Sequence, residues 1–189
     1  MCHQYRRRSE PSLRFGIALT YFSAISKFPP SKVFPRDPVI SDVHEFDANF
    51  DCTDPVVVRK AIRAGKITGE TSGLGSNYTQ GNLAILSADL AMDFLRDCQR
   101  NPKPCPLVGS SETGDPMLPT LGRDIDIRMD IPSYNVYRGG ELTDTVTDIC
   151  ELWRDDFVSF IIGCSFSFEQ ALVNEGVRLK HWEQNLTVS

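Results

Sequence analysis

A run of small residues, Gly163-Cys164-Ser165-Phe166-Ser167, stands directly before a predicted helix. Backbone N–H groups and hydroxyls at such a position could form an anion site, because the helix dipole places partial positive charge there. Ser165 and Ser167 could equally be plain N-caps. Cys164 could be a nucleophile, but nothing in the sequence places a histidine beside it, and this favours a buried thiol.

Glu169 lies one turn into the same predicted helix and is the candidate proton carrier. Burial against Phe166 or Phe168 would make its carboxyl group easier to protonate and so suited to acid-base chemistry. In the alternative interpretation it is an ordinary acid in a solvated first turn.

Tyr78, Gln80 and Asn82 alternate along the chain, so in an extended segment they lie on one side. Together they would present three neutral hydrogen-bonding groups to the polar ends of an amino acid. Hydrogen bonding within an ordinary loop explains the same residues equally well.

Two cations are candidates for binding a carboxylate. Arg128 stands on the polar face of a predicted strand, and a guanidinium binds a carboxylate through two parallel hydrogen bonds. A surface ion pair with Asp126 or Asp130 is the alternative. Lys103 is held in a loop between prolines, where a rigid structural turn is the competing interpretation.

A metal site is not predicted. His181 and Glu183 form an H-x-E pattern, but the pair of cysteines that completes a zinc deaminase site is absent from the sequence. The six cysteines are scattered and form no close pairs, which favours reduced thiols and an intracellular protein. We expect no cofactor.

Three helices are predicted around these residues. The first starts at Asp54 and Pro55 and ends at Gly65, with Val57, Ala61 and Ile62 as its apolar stripe. The second begins after Ser87 and stops before Pro102, and its apolar positions are Leu90, Ala91, Phe94, Leu95 and Cys98. The third runs from Phe168 to Glu175, with Ser167 and Gln170 at capping-box spacing and Gly176 as its stop.

Strands are predicted where apolar residues alternate. Ile125–Ile131 and Val177–Glu183 show this pattern, and Tyr134–Arg138 with Glu141–Thr143 flank Gly139-Gly140 as a hairpin. Trp153–Cys164 favours a helix, although Phe157–Ile162 alone fits a buried strand. The elements predict a mixed, layered α/β domain with helices on a sheet and a β-hairpin, and leave a small second α+β lobe open.

Residues 1–52 differ from the rest of the chain. Their basic, serine-containing start and later prolines are typical of a targeting segment, or of a disordered extension created by an inaccurate gene boundary. The domain is expected over residues 53–189. The whole chain carries a net charge of -5, which gives no electrostatic footprint for nucleic acid. We also predict no association with a membrane, because no apolar run approaches the roughly 20 residues of a membrane helix.

Four segments resemble, in the same order, the motifs of one family: GLGSNYTQGNLAIL (73–86), DFLRDCQRNPKPCPL (93–107), DIDIRMDIPSYNVYRGGEL (124–142) and DICELWRDDFVSFIIGCSFSFEQAL (148–172). This is a family of hydro-lyases that includes mitochondrial D-glutamate cyclase. The resemblance implies a lyase that converts D-glutamate to 5-oxo-D-proline and water. It also implies a small amino or carboxylic acid as the partner and a mitochondrial or cytoplasmic location, and it leaves a homo-oligomer open.

The chain departs from the family pattern in three places. Ser76-Asn77 replace a Pro-Gly type turn, Gly81 replaces an alanine, and the first fifty-odd residues differ from the usual start. The family also continues beyond the segment that ends at Glu183, so we expect a domain that is incomplete at its C-terminal end. A truncated, non-catalytic binding protein is therefore the alternative function.

Overall fold

A computed structural model describes residues 15–23, 50–69, 71, 74–75 and 78–180. Their centre is one six-stranded sheet in which every neighbouring pair of strands is antiparallel. The strands are β1 (Phe15–Ser23), β2 (Gln80–Ser87), β3 (Leu107–Ser110), β4 (Tyr134–Arg138), β5 (Glu141–Val146) and β6 (Phe157–Gly163). Their order across the sheet is β3-β6-β2-β1-β4-β5. The helices are α1 (Pro55–Arg63), α2 (Ala88–Arg100) and α3 (Phe166–Asn174), with a short 3-10 helix at Cys150–Leu152.

Helix α1 confirms the predicted start and stop signals. The Asp54 side chain accepts a hydrogen bond from the Val56 N–H at 2.8 Å, Pro55 occupies the first turn, and Gly65 follows with a φ of 68°. Val58, rather than the predicted Val57, is its fully buried valine.

Helix α2 follows β2 without a loop, and the predicted helix is confirmed. Ser87 stands at its N-cap, but its hydroxyl donates to the Asp89 carboxylate instead of bonding a backbone N–H. The Ala88 N–H donates to the Asp156 carbonyl at 2.8 Å, so a neighbouring loop partly replaces the missing cap. The Phe94 and Phe160 rings lie 5.0 Å apart between α2 and β6.

The main core lies on one face of β2 and β6. Leu83 and Ile161 contribute from the strands, and the segment from residue 118 to residue 131 covers them. The buried residues of that covering segment are Leu118, Leu121, Ile125, Ile127 and Ile131. A second core joins α1 to the following loop through Val58, Ala61, Ile62, Ile67 and Leu74.

The predicted strand over Ile125–Ile131 is wrong. Its isoleucines are buried as the alternation required, but the Met129 and Asp130 N–H groups both donate to the Asp126 carbonyl and close a turn. The Asp130 carboxylate accepts from the Asp126 N–H at 2.8 Å, and local bonds of this kind compete with a strand ladder. Beyond the isolated bridge between Met117 and Asp126, this segment forms no ladder.

The helix predicted over Trp153–Cys164 is also wrong, and the strand alternative is correct. β6 runs through the middle of this stretch and is paired on both sides, by β2 and by β3. A strand covered on both faces reads as a continuous apolar run, so its periodicity resembles that of a buried helix.

The third helix is confirmed but begins earlier than predicted, at Phe166. Ser165 takes the N-cap position without a side-chain cap bond, and Ser167 lies within the helix, so the predicted capping box is not its start. Gly176 follows the helix with a φ of 82°. Residues 177–180 form no strand, and 181–183 lie outside the described residues.

The hairpin is confirmed, with Gly139 at a φ of 62° and Gly140 at 91° between β4 and β5. The mixed α/β class is confirmed as well. The domain boundary expected near residue 53 leaves out β1, whereas the sheet contains this strand between β2 and β4. In the described part of the chain, no helix is long and apolar enough to cross a membrane.

Candidate functional site

Three chain segments meet at one end of the sheet, where β2 begins, β6 ends and α3 starts. Gly81 pairs with Gly163 in the ladder between β2 and β6. A Cβ atom on Gly81 would lie 2.6 Å from Ile161 Cγ2 and 2.9 Å from the Ile162 carbonyl oxygen, so the strands approach too closely for a side chain. The glycine that departs from the family pattern is therefore fitted to this contact.

Ser167 joins α3 to the first residue of β2. Its Oγ donates to the Gln80 carbonyl and accepts from the Gln80 N–H, with 2.9 Å for each bond. The Cys164 N–H donates to the same carbonyl at 3.3 Å. The start of α3 is thus held to β2 through backbone groups, and this fixes the side chains on either side of Ser167.

Glu169 is buried, with 4% of its surface exposed. Its Oε1 atom accepts a hydrogen bond from Ser165 Oγ at 2.8 Å. A carboxylate beside a hydroxyl at the end of a sheet can take up and return a proton, provided that a substrate reaches hydrogen-bonding distance. The burial condition set for Glu169 as a proton carrier is therefore met.

Cys164 does not have the environment of an activated nucleophile. Burial raises the pKa of its thiol, and hydrogen bonds from the Phe166 and Ser167 backbone offset this only in part. The thiol therefore stays protonated near neutral pH, as the alternative interpretation required.

Gln80 and Asn82 lie on the same face of β2, as their alternation predicts. The Gln80 amide nitrogen donates to the Leu74 carbonyl at 2.7 Å. Gln80 Oε1 and Asn82 Oδ1 are buried and have no hydrogen-bond partner among the described residues. Buried acceptors without donors are uncommon, so these two oxygens suit a ligand with N–H groups. Tyr78 is half-buried just before β2, and its N–H donates to the Gly75 carbonyl.

The loop that carries Lys103 reaches the same end of the sheet. Pro106, which ends the loop, accepts a hydrogen bond from the Gly163 N–H at 2.8 Å. The Cys105 N–H donates to the Asn101 carbonyl and closes the turn around Lys103, whose side chain is exposed. We call Gln80, Asn82, Ser165, Ser167 and Glu169 the strand-end cluster. Lys103 stands on the loop beside this cluster.

Comparison with known proteins agrees with the resemblance of the motifs. A "Putative hydro-lyase" from Verminephrobacter eiseniae is 56% identical over 143 residues, which are 76% of this chain and 52% of the relative. One from Jannaschia sp. is 58% identical over 135 residues, 71% of this chain and 51% of the relative. The sequence profile of the D-glutamate cyclase family matches residues 158–189. The chain belongs to this family.

The chain spans about half the length of the curated relatives that it matches. The D-glutamate cyclase profile begins in β6 and continues through α3, so the second half of the strand-end cluster lies inside the matched segment. His181 and Glu183, the H-x-E pair, lie outside the described residues. Within the described ranges, no group of three or more His, Cys, Asp or Glu residues is arranged to hold a metal ion.

Arg128, the first candidate for a carboxylate in this family member, is already paired. Its Nε and NH2 atoms donate to the two Asp126 oxygens at 2.9 and 2.7 Å. This is the ion pair that sequence analysis weighed as the alternative role. The Asp126 carboxylate raises the pKa of Arg128, chiefly through the side-chain hydrogen bond.

Next to this pair lies a charge cluster that was missed from the sequence. Asp130 is fully buried, and Arg63 of α1 donates to both of its oxygens. Arg59, also buried, places its Nε 3.6 Å from Asp130 and donates from NH2 to the Arg123 carbonyl. The carboxylate of Asp130 raises the pKa of Arg63. The only signal in the sequence was two arginines at helical spacing beside the apolar stripe of α1.

Proposed function

We propose that this chain carries part of the active site of a hydro-lyase that acts on a small amino or carboxylic acid, with D-glutamate as its substrate. The observation that supports this best is its 56% identity over 143 residues to a relative of the same family. The match of residues 158–189 to D-glutamate cyclase supports the finer assignment. The strand-end cluster supplies the groups that such a reaction requires.

The proposed reaction closes a five-membered ring. The amine nitrogen of D-glutamate attacks the carbon of its side-chain carboxyl group, a C–N bond forms, a C–O bond breaks and one water leaves. The ammonium group gives up two protons, and the departing oxygen receives two, so the product 5-oxo-D-proline keeps one carboxylate. Ring closure needs little additional ordering, because the reacting ends belong to one molecule. The poor electrophile and leaving group are the main obstacle.

The residues take complementary roles in this proposal. Glu169 accepts a proton from the ammonium group and delivers one to the leaving oxygen, while Ser165 orients the carboxylate through its 2.8 Å hydrogen bond. The oxygens of Gln80 and Asn82 accept hydrogen bonds from the substrate nitrogen. Lys103 is exposed and could neutralise a substrate carboxylate. Arg128 would first have to release Asp126, so Lys103 is the favoured cation.

The experiment is a stereoselective assay of the purified chain. Formation of 5-oxoproline from D-glutamate, faster than from L-glutamate and faster than the spontaneous reaction, supports the proposal. No excess product at high protein concentration would refute activity of this chain.

A second candidate function is binding without turnover. It is favoured by the fact that the chain covers 52% of its Verminephrobacter eiseniae relative, so a catalytic group could lie outside the shared part. An increase in melting temperature with D-glutamate, in the absence of product, would favour this function.

A further inference from the structure

Helix α3 has its polar and apolar sides reversed. Glu169 is 4% exposed and faces the protein interior, whereas the neighbouring Phe168 is 54% exposed. Ala171, three residues further on, is exposed as well, and Leu172 is half-buried. Residues separated by three and four positions share a helix face, so the outer surface of α3 is apolar. We call Phe168, Ala171 and Leu172, with Val177 after the helix, the outer α3 face.

Helix α2 shows the normal arrangement and provides a contrast. Its buried positions are Ala91 and Cys98, and most of its exposed positions are charged or polar. These are Asp89, Asp93, Arg96, Asp97, Gln99 and Arg100. Met92, at 55% exposure, is a single large apolar residue among them. Isolated exposed apolar residues are ordinary, but a contiguous group is typical of a surface that another polypeptide covers.

The length of the relatives indicates what covers the outer α3 face. The relatives are about twice as long as the part shared with this chain, and α3 lies within the segment that the family profile matches. The remaining half of the family fold must therefore pack against some surface of the shared half. Two halves of one domain bury apolar surface between them. The strand β5, at one edge of the sheet, is a poorer candidate because its exposed residues Glu141, Thr143, Asp144 and Thr145 are polar.

We propose that the outer α3 face is the docking surface for the part of the family fold that lies outside the shared 143 residues. The inner side of the same helix carries Glu169 and Ser167 at the strand-end cluster. Docking on the outer side would thus hold α3 in place from the opposite direction and complete the wall of the cluster. This inference depends on family membership and not on the proposed reaction.

The test is co-expression of the tagged 189-residue chain with the part of the Verminephrobacter eiseniae relative that the match leaves out. We expect the two polypeptides to co-purify. Phe168→Asp should reduce the recovered partner at least tenfold, because it places a charge in an apolar interface. Met92→Asp is the matched control, since Met92 is equally exposed on a different helix, and it should leave recovery unchanged.

Ala171→Asp serves as a second variant on the same face, and circular dichroism melting checks that each variant is folded. Failure of the wild-type chain to co-purify, or equal recovery with all variants, would overturn the proposal. So would self-association of the wild-type chain that Phe168→Asp abolishes, since a second copy would then be the occupant. An inactive chain that still binds the partner through Phe168 would refute the proposed reaction and leave the docking surface intact.

Discussion

The hydroxyl of Ser167 serves both backbone hydrogen-bonding groups of Gln80, a residue 87 positions away in the chain. One side chain thereby joins the N-terminal end of β2 to the first turn of α3. Because neither group of Gln80 can be satisfied by a strand neighbour in the same way, the contact depends on an oxygen at position 167.

We predict that Ser167→Ala lowers the free energy of unfolding by about 1–3 kcal/mol, since it leaves two backbone groups of Gln80 without this partner. Urea denaturation monitored by circular dichroism measures the change. Ser110→Ala, at an exposed serine of β3, is the control and should change stability by less than about 0.5 kcal/mol. Equal effects of the two substitutions would contradict a special role for Ser167.

Asp126→Asn should reduce both stability and its dependence on acid. Burial on its own raises the pKa of Asp126, but hydrogen bonds from Arg128 and the charges of Arg128 and Arg63 outweigh this and lower it overall. A lowered folded-state pKa contributes stability above the unfolded value of about 3.9, and this contribution is lost as the pH falls below about 4.

We therefore expect Asp126→Asn to cost about 1–3 kcal/mol at pH 7 and less at pH 3, where the wild type has lost the same contribution. Urea midpoints at pH 7, 4 and 3 provide the measurement. Asp93→Asn is the control, because Asp93 is 79% exposed and pairs with Arg96 at the surface. A cost for Asp126→Asn that stays constant from pH 7 to pH 3 would count against the sign derived for Asp126.

Glu169→Gln should lower the rate of 5-oxoproline formation by about 10²–10⁴-fold, the typical contribution of a general acid-base group. The amide keeps the shape of the side chain and its contact with Ser165, but it cannot carry the proton. Ser165→Ala should cost less, since Ser165 acts by orienting Glu169. Initial rates and melting temperatures of both variants distinguish these roles, and a fully active Glu169→Gln would remove Glu169 from the mechanism.

Lys103→Gln should raise the KM for D-glutamate by about tenfold or more and change kcat less, because a lost carboxylate contact weakens binding of substrate and transition state alike. Lys66→Gln, at another exposed lysine, should have no effect. If Lys103→Gln behaves as Lys66→Gln does, the carboxylate is bound elsewhere, and Arg128→Lys becomes the variant to measure next.

Local signals in the sequence were sufficient where local forces decide the structure. Asp54, Pro55 and Gly65 define α1 because capping and backbone conformation act within a few residues. Gly139 and Gly140 define the hairpin because both adopt a positive φ. In the candidate site, burial of Glu169 and the shared face of Gln80 and Asn82 followed from helical and strand periodicity.

Predictions failed where distant residues decide the structure. β6 is a strand because β2 and β3 bind it from both sides, and its apolar run alone cannot distinguish this from a buried helix. The turn over 126–130 forms around Asp130, whose partners Arg59 and Arg63 lie in α1. Arg128 could not be separated from its ion pair with Asp126, since alternation gives the face of a residue but not its contacts.

The position of β1 has a consequence for how the chain assembles. Among the described strands, β1 is the one hydrogen-bonded connection between the β4–β5 hairpin and the group formed by β2, β6 and β3. The hairpin can form early from local pairing, yet an isolated two-stranded hairpin is only marginally stable in water. β1 must reach across to Arg138 from Phe15, and closing so long a loop is slow. Completion of the sheet therefore awaits the strand that leaves the ribosome first.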